Sequence, residues 1–344
     1  EATALELRAT GFEWTFAPTV TVPRDDRWGR TYEGYSEDPA LVSRYATAVV
    51  EGLQGPVGKP GFLGDGRVVS TAKHYIGDGG TFEGKDKGDT RVSEEELRDV
   101  HGAGHIAALD AGVQSVMASF SSWNGQKMHG HHGLLTTILK GRLGFDGFVV
   151  GDWNGHGEVK GCTDRNCPQA FNAGVDMFMA PDTWRDVYRN TLAQVKDGTI
   201  PMERLDDAVR RILRVKFRMG LFEAGLPSKR AHGGDFSLLG GAGHRALARE
   251  AVRRSLVLLK NERRVLPIRP TQRILVAGDG ADSIARQAGG WTLSWQGTGT
   301  QRADFPNAQT IWEGFDEQVR AAGGRAEFSV DGRYTTRPEV AVVV

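Results

Sequence analysis

Short apolar segments alternate with helical patterns through the first two thirds of the chain, and this alternation constrains the fold more than any other feature. Strands are predicted over 15–22, 68–75, 113–119, 147–152 and 175–179, each bounded by Gly, Pro or polar residues. Helices are predicted between them, over 40–53, 93–109 and 132–140, and again through 205–213 before Gly220. Strands that alternate with helices pair in parallel through right-handed crossovers. The sequence therefore predicts an α/β fold with a parallel sheet.

The number of strands leaves two architectures open. Five strands are too few for a closed eight-stranded barrel, which normally needs about 250 residues. Either the sheet is open, or a barrel begins before Glu1. The chain starts inside a helical pattern and ends in the apolar run 340–344 without a turn or cap, so both ends look cut.

A second unit is predicted after a linker. Residues 222–243 are rich in Gly, Pro and polar side chains and show no sustained period, which is typical of an interdomain segment. Strands are predicted beyond it over 255–259, 274–277 and 340–344, with a helix over 310–322. The predicted domains are thus 1–223 and 255–344, joined by 224–254. The Gly278-containing loop does not favour a dinucleotide site, because its third glycine is out of register.

Charge and hydropathy limit the partners. The 43 Lys and Arg residues equal the 43 Asp and Glu residues, so no net field attracts nucleic acid or an anionic membrane. No run of about 18 apolar residues and no leader peptide is visible, which predicts no membrane insertion. A neutral partner fits this chain better, and its oligomeric state stays unknown.

Chemically active side chains recur where predicted strands end. The strand 147–152 runs directly into Asp152, and α/β barrels carry their catalytic groups at this end of their strands. The simpler alternative is that Asp152 only caps the following turn. Lys73 and His74 close another strand, and Arg30 follows the first one. Adjacent side chains on a strand point to opposite faces, so Lys73 and His74 reach one pocket only if the strand is distorted.

Several motifs, in this order, resemble glycoside hydrolase family 3. They are 24–38, Lys73-His74-Tyr75 with 77–81, Gly151-Asp152-Trp153, 215–223 and 289–292. The similarity extends over nearly the whole chain and is strongest to exo-acting β-glucosidases and β-glucan exohydrolases. It implies a (β/α)8-type TIM barrel, truncated here at its N-terminus, followed by an α/β sandwich domain truncated at its C-terminus.

The resemblance also implies an activity. The expected enzyme is a retaining exo-β-glucosidase that forms a covalent glycosyl-Asp intermediate on β-glucan or cello-oligosaccharides, without a cofactor or metal, in the periplasm or outside the cell. The alternatives are a β-xylosidase and a catalytically silent sugar-binding fragment. The acid/base glutamate is expected just after Val344. Asp78, Glu33 and Glu158 are the nearby carboxylates that could replace it, but their spacing supports none of them.

The resemblance assigns roles to individual positions. Asp152 corresponds to the nucleophile. Arg30, Lys73 and His74 are expected to bind the hydroxyls of the terminal sugar. Met117 and Phe120 are expected to line the same subsite. Trp153 and Trp291 are expected to clamp the next sugar. Many relatives have Ser at the position of Gly151 and some have Tyr at that of Phe120, so one hydrogen bond to the nucleophile is expected to be missing or supplied by water.

Two further groups of residues lie near the Asp152 loop. Cys162 and Cys167 could form a disulfide or bind a metal, but two thiols without clustered histidines make a poor zinc site. Their position and the secreted relatives favour a disulfide that braces the loop. His129, His131 and His132 precede a helix and are predicted to be exposed polar residues rather than metal ligands.

Overall fold

The computed structural model describes all residues, Glu1–Val344. The chain divides into two compact units, Glu1–Arg249 and Glu250–Val344. The strands of the first unit are β1 (Thr71–Tyr75), β2 (Asp89–Thr90), β3 (Ser115–Ala118), β4 (Ser122–Trp123), β5 (Gln126–Lys127) and β6 (Phe148–Val150); those of the second are β7 (Arg273–Ala277), β8 (Arg325–Ser329) and β9 (Val340–Val343).

The main sheet of the first unit is parallel and follows the order of the chain, β1-β3-β6. Isolated parallel bridges extend it on both sides, between Thr19 and Lys73 and between Val150 and Met177. The predicted strands 15–22 and 175–179 therefore occupy their expected places but form single bridges instead of continuous ladders. In the wall of a (β/α) barrel, neighbouring strands also follow one another along the chain, as they do in this sheet.

Helices connect these strands as the sequence predicted. Pro39–Gln54 begins at Asp38, whose carboxylate accepts a hydrogen bond from the Ala40 amide. The Ser93 side chain caps a helical segment that continues, with a π-helical turn, to Asp110. The remaining helices of this unit are Ala2–Ala9, the π-helical Gly133–Arg142, Pro168–Ala173, Trp184–Lys196 and Met202–Arg218, and Ala242–Ser255 crosses into the second unit. None of the helices combines the length and the apolar character required to cross a membrane.

The main sheet is buried on both faces. Along β6, Val149 packs into the cluster formed with the flanking helices, whereas Phe148 and Val150 point into a second cluster on the opposite face. This alternation follows from the two-residue period of a strand. Burial on both faces explains why the strand segments have continuous apolar sequences, and it leaves the strand ends as the places where polar groups can gather.

The second unit contains a parallel sheet in the order β8-β7-β9. Its helix Ile311–Ala321 starts with a capping box between Thr310 and Glu313. Ile274, Val276 and Val319 form its core. The helices Ile311–Ala321 and Ile284–Ala288 lie in the segments between these strands.

One prediction for this region was wrong, and one strand was missed. The predicted strand 255–259 does not form: helix Ala242–Ser255 runs through the predicted linker, and residues 256–259 are exposed without regular structure. A run of apolar residues predicts a strand only if other strands pair with it, and no strand of the structure pairs with this segment. Strand β8 was not predicted, because only Ala and Phe of its sequence Arg-Ala-Glu-Phe-Ser are apolar.

Candidate active site

Asp152 lies just beyond the carboxyl end of β6, after a buried apolar strand. Its Oδ1 accepts a hydrogen bond of 2.7 Å from the Trp153 amide, and its Oδ2 lies 3.7 Å from His74 Nε2. The side chain is 13% exposed. The carboxylate is therefore held in a defined direction while remaining accessible to a ligand.

His74 connects three charged groups at the end of β1. Its Nδ1 lies 2.9 Å from Asp78 Oδ2, and its Nε2 lies 3.1 Å from Arg30 Nη2. A guanidinium can only donate hydrogen bonds, so Nε2 accepts and Nδ1 carries the proton that Asp78 receives as a hydrogen bond. The ring orientation is thus fixed from both sides.

Arg30 provides a permanent positive charge beside the nucleophile candidate. Its Nε and Nη2 donate to the two carboxylate oxygens of Glu33 at 2.7 and 3.0 Å. Burial alone would lower the pKa of Arg30, but Glu33 and the more distant charges of Asp78 and Asp152 raise it above its usual value. The guanidinium therefore stays charged at any pH at which the protein is folded.

Lys73 joins the same group of charges. Burial lowers its pKa, while the carboxylates of Glu33, Asp152 and Asp78 oppose that effect. Lys73 and His74 thus both interact with these carboxylates, although they are adjacent on a strand. The register between β1 and β3 shifts between Ala72 and Tyr75, which provides the distortion that this arrangement requires.

The three carboxylates considered as alternative acids, Asp78, Glu33 and Glu158, are each engaged with a cation or an imidazole. Burial acts to raise the pKa of Asp78, but the hydrogen bond from His74 and the charge of Arg30 outweigh it and lower the pKa. Glu33 accepts from Arg30 at both oxygens, and Glu158 Oε2 accepts from Lys127 Nζ at 2.8 Å. A general acid must be protonated before it acts, so none of these environments suits a proton donor.

The apolar residues of the predicted site lie in different surroundings. Met117 is buried among Phe148 and Val150 in the apolar cluster of the sheet. Phe120 is half-buried, with the Lys87 ammonium 3.9 Å from its ring centre. Trp153 is 57% exposed beside Asp152. These positions leave the predicted contacts of Met117, Phe120 and Trp153 with substrate as predictions.

Trp291, predicted to clamp a sugar, belongs to the second unit. It has a positive φ of 55°, and its ring centre lies 6.5 Å from that of Trp295. Its side chain is largely exposed. Two exposed indoles close together form an apolar surface that suits the C–H face of a sugar, so this role also stays a prediction.

The prediction that His129 is exposed was wrong. His129 is 1% exposed, and its Nε2 accepts a hydrogen bond of 2.9 Å from the Asp152 amide. Burial, the largest cause, lowers its pKa to about 3. Only His132 of this group is exposed; the His131 ring stacks on Trp123. The neighbouring apolar Met128, which is fully buried, was the available signal that the segment turns inward.

A disulfide follows the Asp152 loop. The structure joins Cys162 and Cys167, whose Cα atoms are 4.8 Å apart. Helix Pro168–Ala173 begins immediately after Cys167. The bridge therefore ties the end of the loop to the start of a helix.

Comparisons with known proteins cover both units. Residues 1–215 match the family model described as Glycosyl hydrolase family 3 N terminal domain, and residues 256–344 match Glycosyl hydrolase family 3 C-terminal domain. A lysosomal beta glucosidase of Dictyostelium discoideum is 33% identical over 99% of this chain and 42% of its own length. A periplasmic beta-glucosidase of Salmonella typhimurium is 35% identical over 85% of this chain and 38% of its own length. The chain thus spans about 40% of the length of these curated relatives.

Solved structures give the same result. An exo-1,3/1,4-beta-glucanase from a Pseudoalteromonas species superimposes with a TM-score of 0.97 at 56% identity, over 99% of this chain and 43% of that one. A mutant beta-glucosidase from Listeria innocua in complex with laminaribiose superimposes with a TM-score of 0.84 at 28% identity, over 98% of this chain and 45% of that one. The predicted architecture, a TIM-barrel-type domain followed by an α/β domain, is confirmed by these matches.

Proposed function

The chain belongs to glycosyl hydrolase family 3, and from this membership we propose that the protein is a retaining, exo-acting β-glucosidase that removes terminal glucose from β-glucans or cello-oligosaccharides. The observation that carries the proposal is the Asp152 carboxylate, directed by the Trp153 amide and surrounded by Arg30, Lys73 and His74. The 56% identity to a structure named exo-1,3/1,4-beta-glucanase supports a β-linked glucan as substrate.

In the proposed reaction, Asp152 Oδ2 attacks the anomeric carbon while the bond to the leaving oxygen breaks. A second carboxyl group protonates that oxygen, and a glycosyl-Asp152 ester results. The same carboxylate then takes a proton from water, whose oxygen displaces Asp152 and releases the sugar with its original configuration. The second carboxyl group is the glutamate predicted to follow Val344.

The charged groups around Asp152 have two roles in this proposal. Arg30 and Lys73 place positive charge near the carboxylate that attacks. They and His74 also present polar atoms to the hydroxyls of the terminal sugar. Hydrogen bonds to these hydroxyls that strengthen as positive charge develops on the sugar ring would accelerate the reaction.

A β-xylosidase is the second candidate. A protein of Formosa agariphila named Beta-xylosidase is 36% identical over 77% of this chain and 38% of its own length. The two activities differ only in whether the sugar carries a C6 hydroxymethyl group, and both would use Asp152. The name of the Salmonella relative supports a periplasmic or secreted location.

Trapping of the intermediate tests the nucleophile. A 2-deoxy-2-fluoro-β-glucoside with a dinitrophenolate leaving group needs no acid, because dinitrophenolate leaves without a proton. We expect intact-mass and peptide analysis to find one fluoroglucosyl group on Asp152. Asp152→Asn should form no adduct, whereas the control Asp110→Asn, at an exposed helix end, should react at the wild-type rate.

The outcomes separate the candidates. An adduct on another residue, or an unchanged rate in Asp152→Asn, would refute the assignment. The corresponding fluoroxyloside, assayed in parallel, distinguishes xylosidase from glucosidase by its relative inactivation rate. Calorimetric binding of laminaribiose without any adduct would favour a sugar-binding protein without catalysis.

A further inference from the structure

The Asp152 backbone is held by a side chain from another part of the chain. The Asp152 carbonyl closes a turn by accepting from the Gly155 amide at 2.9 Å, and the Asp152 amide donates to His129 Nε2 at the same distance. We propose that His129 is a positioning residue, which holds the Asp152 turn through a neutral imidazole and thereby directs the carboxylate toward the anomeric carbon. This inference rests on the proposed function of Asp152.

The imidazole fits closely between the two ends of that turn. A Cβ atom added to Gly155 would lie 2.4 Å from His129 Cε1, and one added to Gly151 would lie 3.5 Å from Cδ2 and Nε2. The first distance is far below van der Waals contact, so Gly155 is required for the ring to reach this place. His129 therefore has little freedom to rotate.

The hydrogen bond requires the uncharged imidazole. Nε2 can accept a hydrogen bond from the Asp152 amide only if it carries no proton. In the imidazolium, the N–H at Nε2 would point at the N–H of Asp152, and no hydrogen bond could form. Burial lowers the pKa of His129 to about 3, and the positive charge of Lys127 acts in the same direction. The acceptor is therefore present throughout the pH range in which a glycosidase works.

The position of His129 predicts an effect on the chemical step. His129 contacts the Asp152 backbone, while the groups proposed to bind the sugar hydroxyls are held independently by Glu33 and Asp78. Loss of the acceptor would let the turn move and misdirect the carboxylate without removing the sugar contacts. The maximal rate should then fall more than the affinity, which is the sign of an interaction made in the transition state.

Two substitutions separate position from packing. The side-chain amide introduced by His129→Gln reaches the place of Nε2, whereas the shorter amide introduced by His129→Asn reaches only that of Nδ1. We therefore compare the kinetics of inactivation by the dinitrophenyl fluoroglucoside. His129→Asn should lower the maximal inactivation rate about ten- to hundredfold, with the half-saturating concentration within about threefold, and His129→Gln should restore most of the rate.

Hydrogen exchange provides a readout that does not depend on activity. The peptide containing the Asp152 amide should exchange faster in His129→Asn and at the wild-type rate in His129→Gln. If His129→Asn does not fold, Gly155→Ala displaces the same ring and is judged by the same measurements. A wild-type inactivation rate in a variant whose Asp152 amide exchanges faster overturns the inference but leaves the nucleophile assignment intact. Faster exchange in a protein whose wild type forms no adduct refutes the proposed function instead.

Discussion

Replacement of Asp176 by Asn should strongly destabilise the first unit. Asp176 follows the buried Val175, its carboxylate is 0% exposed, and it accepts from Lys140 Nζ at 2.7 Å, from Arg204 and from the Val149 amide at 2.8 Å. The amide of Asp176 also donates to the Val149 carbonyl. The Asp176 carboxylate thus pairs with two buried cations, both of which Asp207 also contacts, and it ties the Asp176 segment to β6.

The size of the expected loss in free energy of unfolding follows from the burial of the two cations. Lys140 and Arg204 are 5% and 12% exposed in their side chains, so Asp176→Asn leaves two buried cations whose remaining acidic partner is Asp207, at 3.6 and 2.9 Å and 36% exposed. Breaking a buried ion pair by removing one partner costs about 3–5 kcal/mol. A suitable control is Asp186→Asn, which breaks a pair of 2.6 Å with Arg165 whose side chains are 34% and 62% exposed. That pair should contribute about 1 kcal/mol or less.

Urea unfolding followed by circular dichroism at pH 7 measures both losses, and pH provides a second test. Burial is the largest influence on Lys140 and lowers its pKa to about 8, below the value of about 10.4 in the unfolded chain. Stability therefore rises with pH between these values, because the unfolded state binds the proton that the folded state has lost. Asp176→Asn should lower the pKa of Lys140 further. The difference in free energy of unfolding between wild type and this variant should therefore shrink between pH 7 and 9. Equal losses for the two variants would refute the burial argument.

Three further experiments test other parts of the protein. Gly155→Ala should slow inactivation by the fluoroglucoside by displacing the buried histidine behind it, whereas Gly151→Ala, whose Cβ meets only ordinary contacts, should keep nearly the wild-type rate. Thiol titration of oxidised, denatured protein should find no free thiol, since Cys162 and Cys167 are paired, and two free thiols would contradict the bridge. Asp78→Asn should reduce the free energy of unfolding at pH 7. Because the folded pKa of Asp78 is lowered, the wild-type advantage should disappear as the pH falls below about 4, as urea titrations at several pH values would show.

Much of the first unit could be predicted because the signals are local. The alternation of buried strands and amphipathic helices depends on residues close in sequence, and the helix Pro39–Gln54 formed within one residue of each predicted end. The position of Asp152 was also predictable, since a strand that runs into a carboxylate needs no distant information. The run 256–259 failed for the opposite reason: an apolar segment forms a strand only when another strand pairs with it.

The site itself depended on contacts between distant segments. Sequence alone left open whether the adjacent Lys73 and His74 reach the same carboxylates, and the register shift between β1 and β3 accompanies that arrangement. It also gave no reason to connect His129 with Asp152, which lie 23 positions apart.

The sequence by itself therefore determined the α/β class, the parallel pairing of the strands and the place of the nucleophile candidate at a strand end, because backbone periodicity is set by neighbouring residues. Only the tertiary structure decided which imidazole is neutral, which carboxylates are bound by cations and which groups surround Asp152. The charge state and direction of a side chain depend on desolvation and on hydrogen-bond partners, and folding brings those partners from far along the chain.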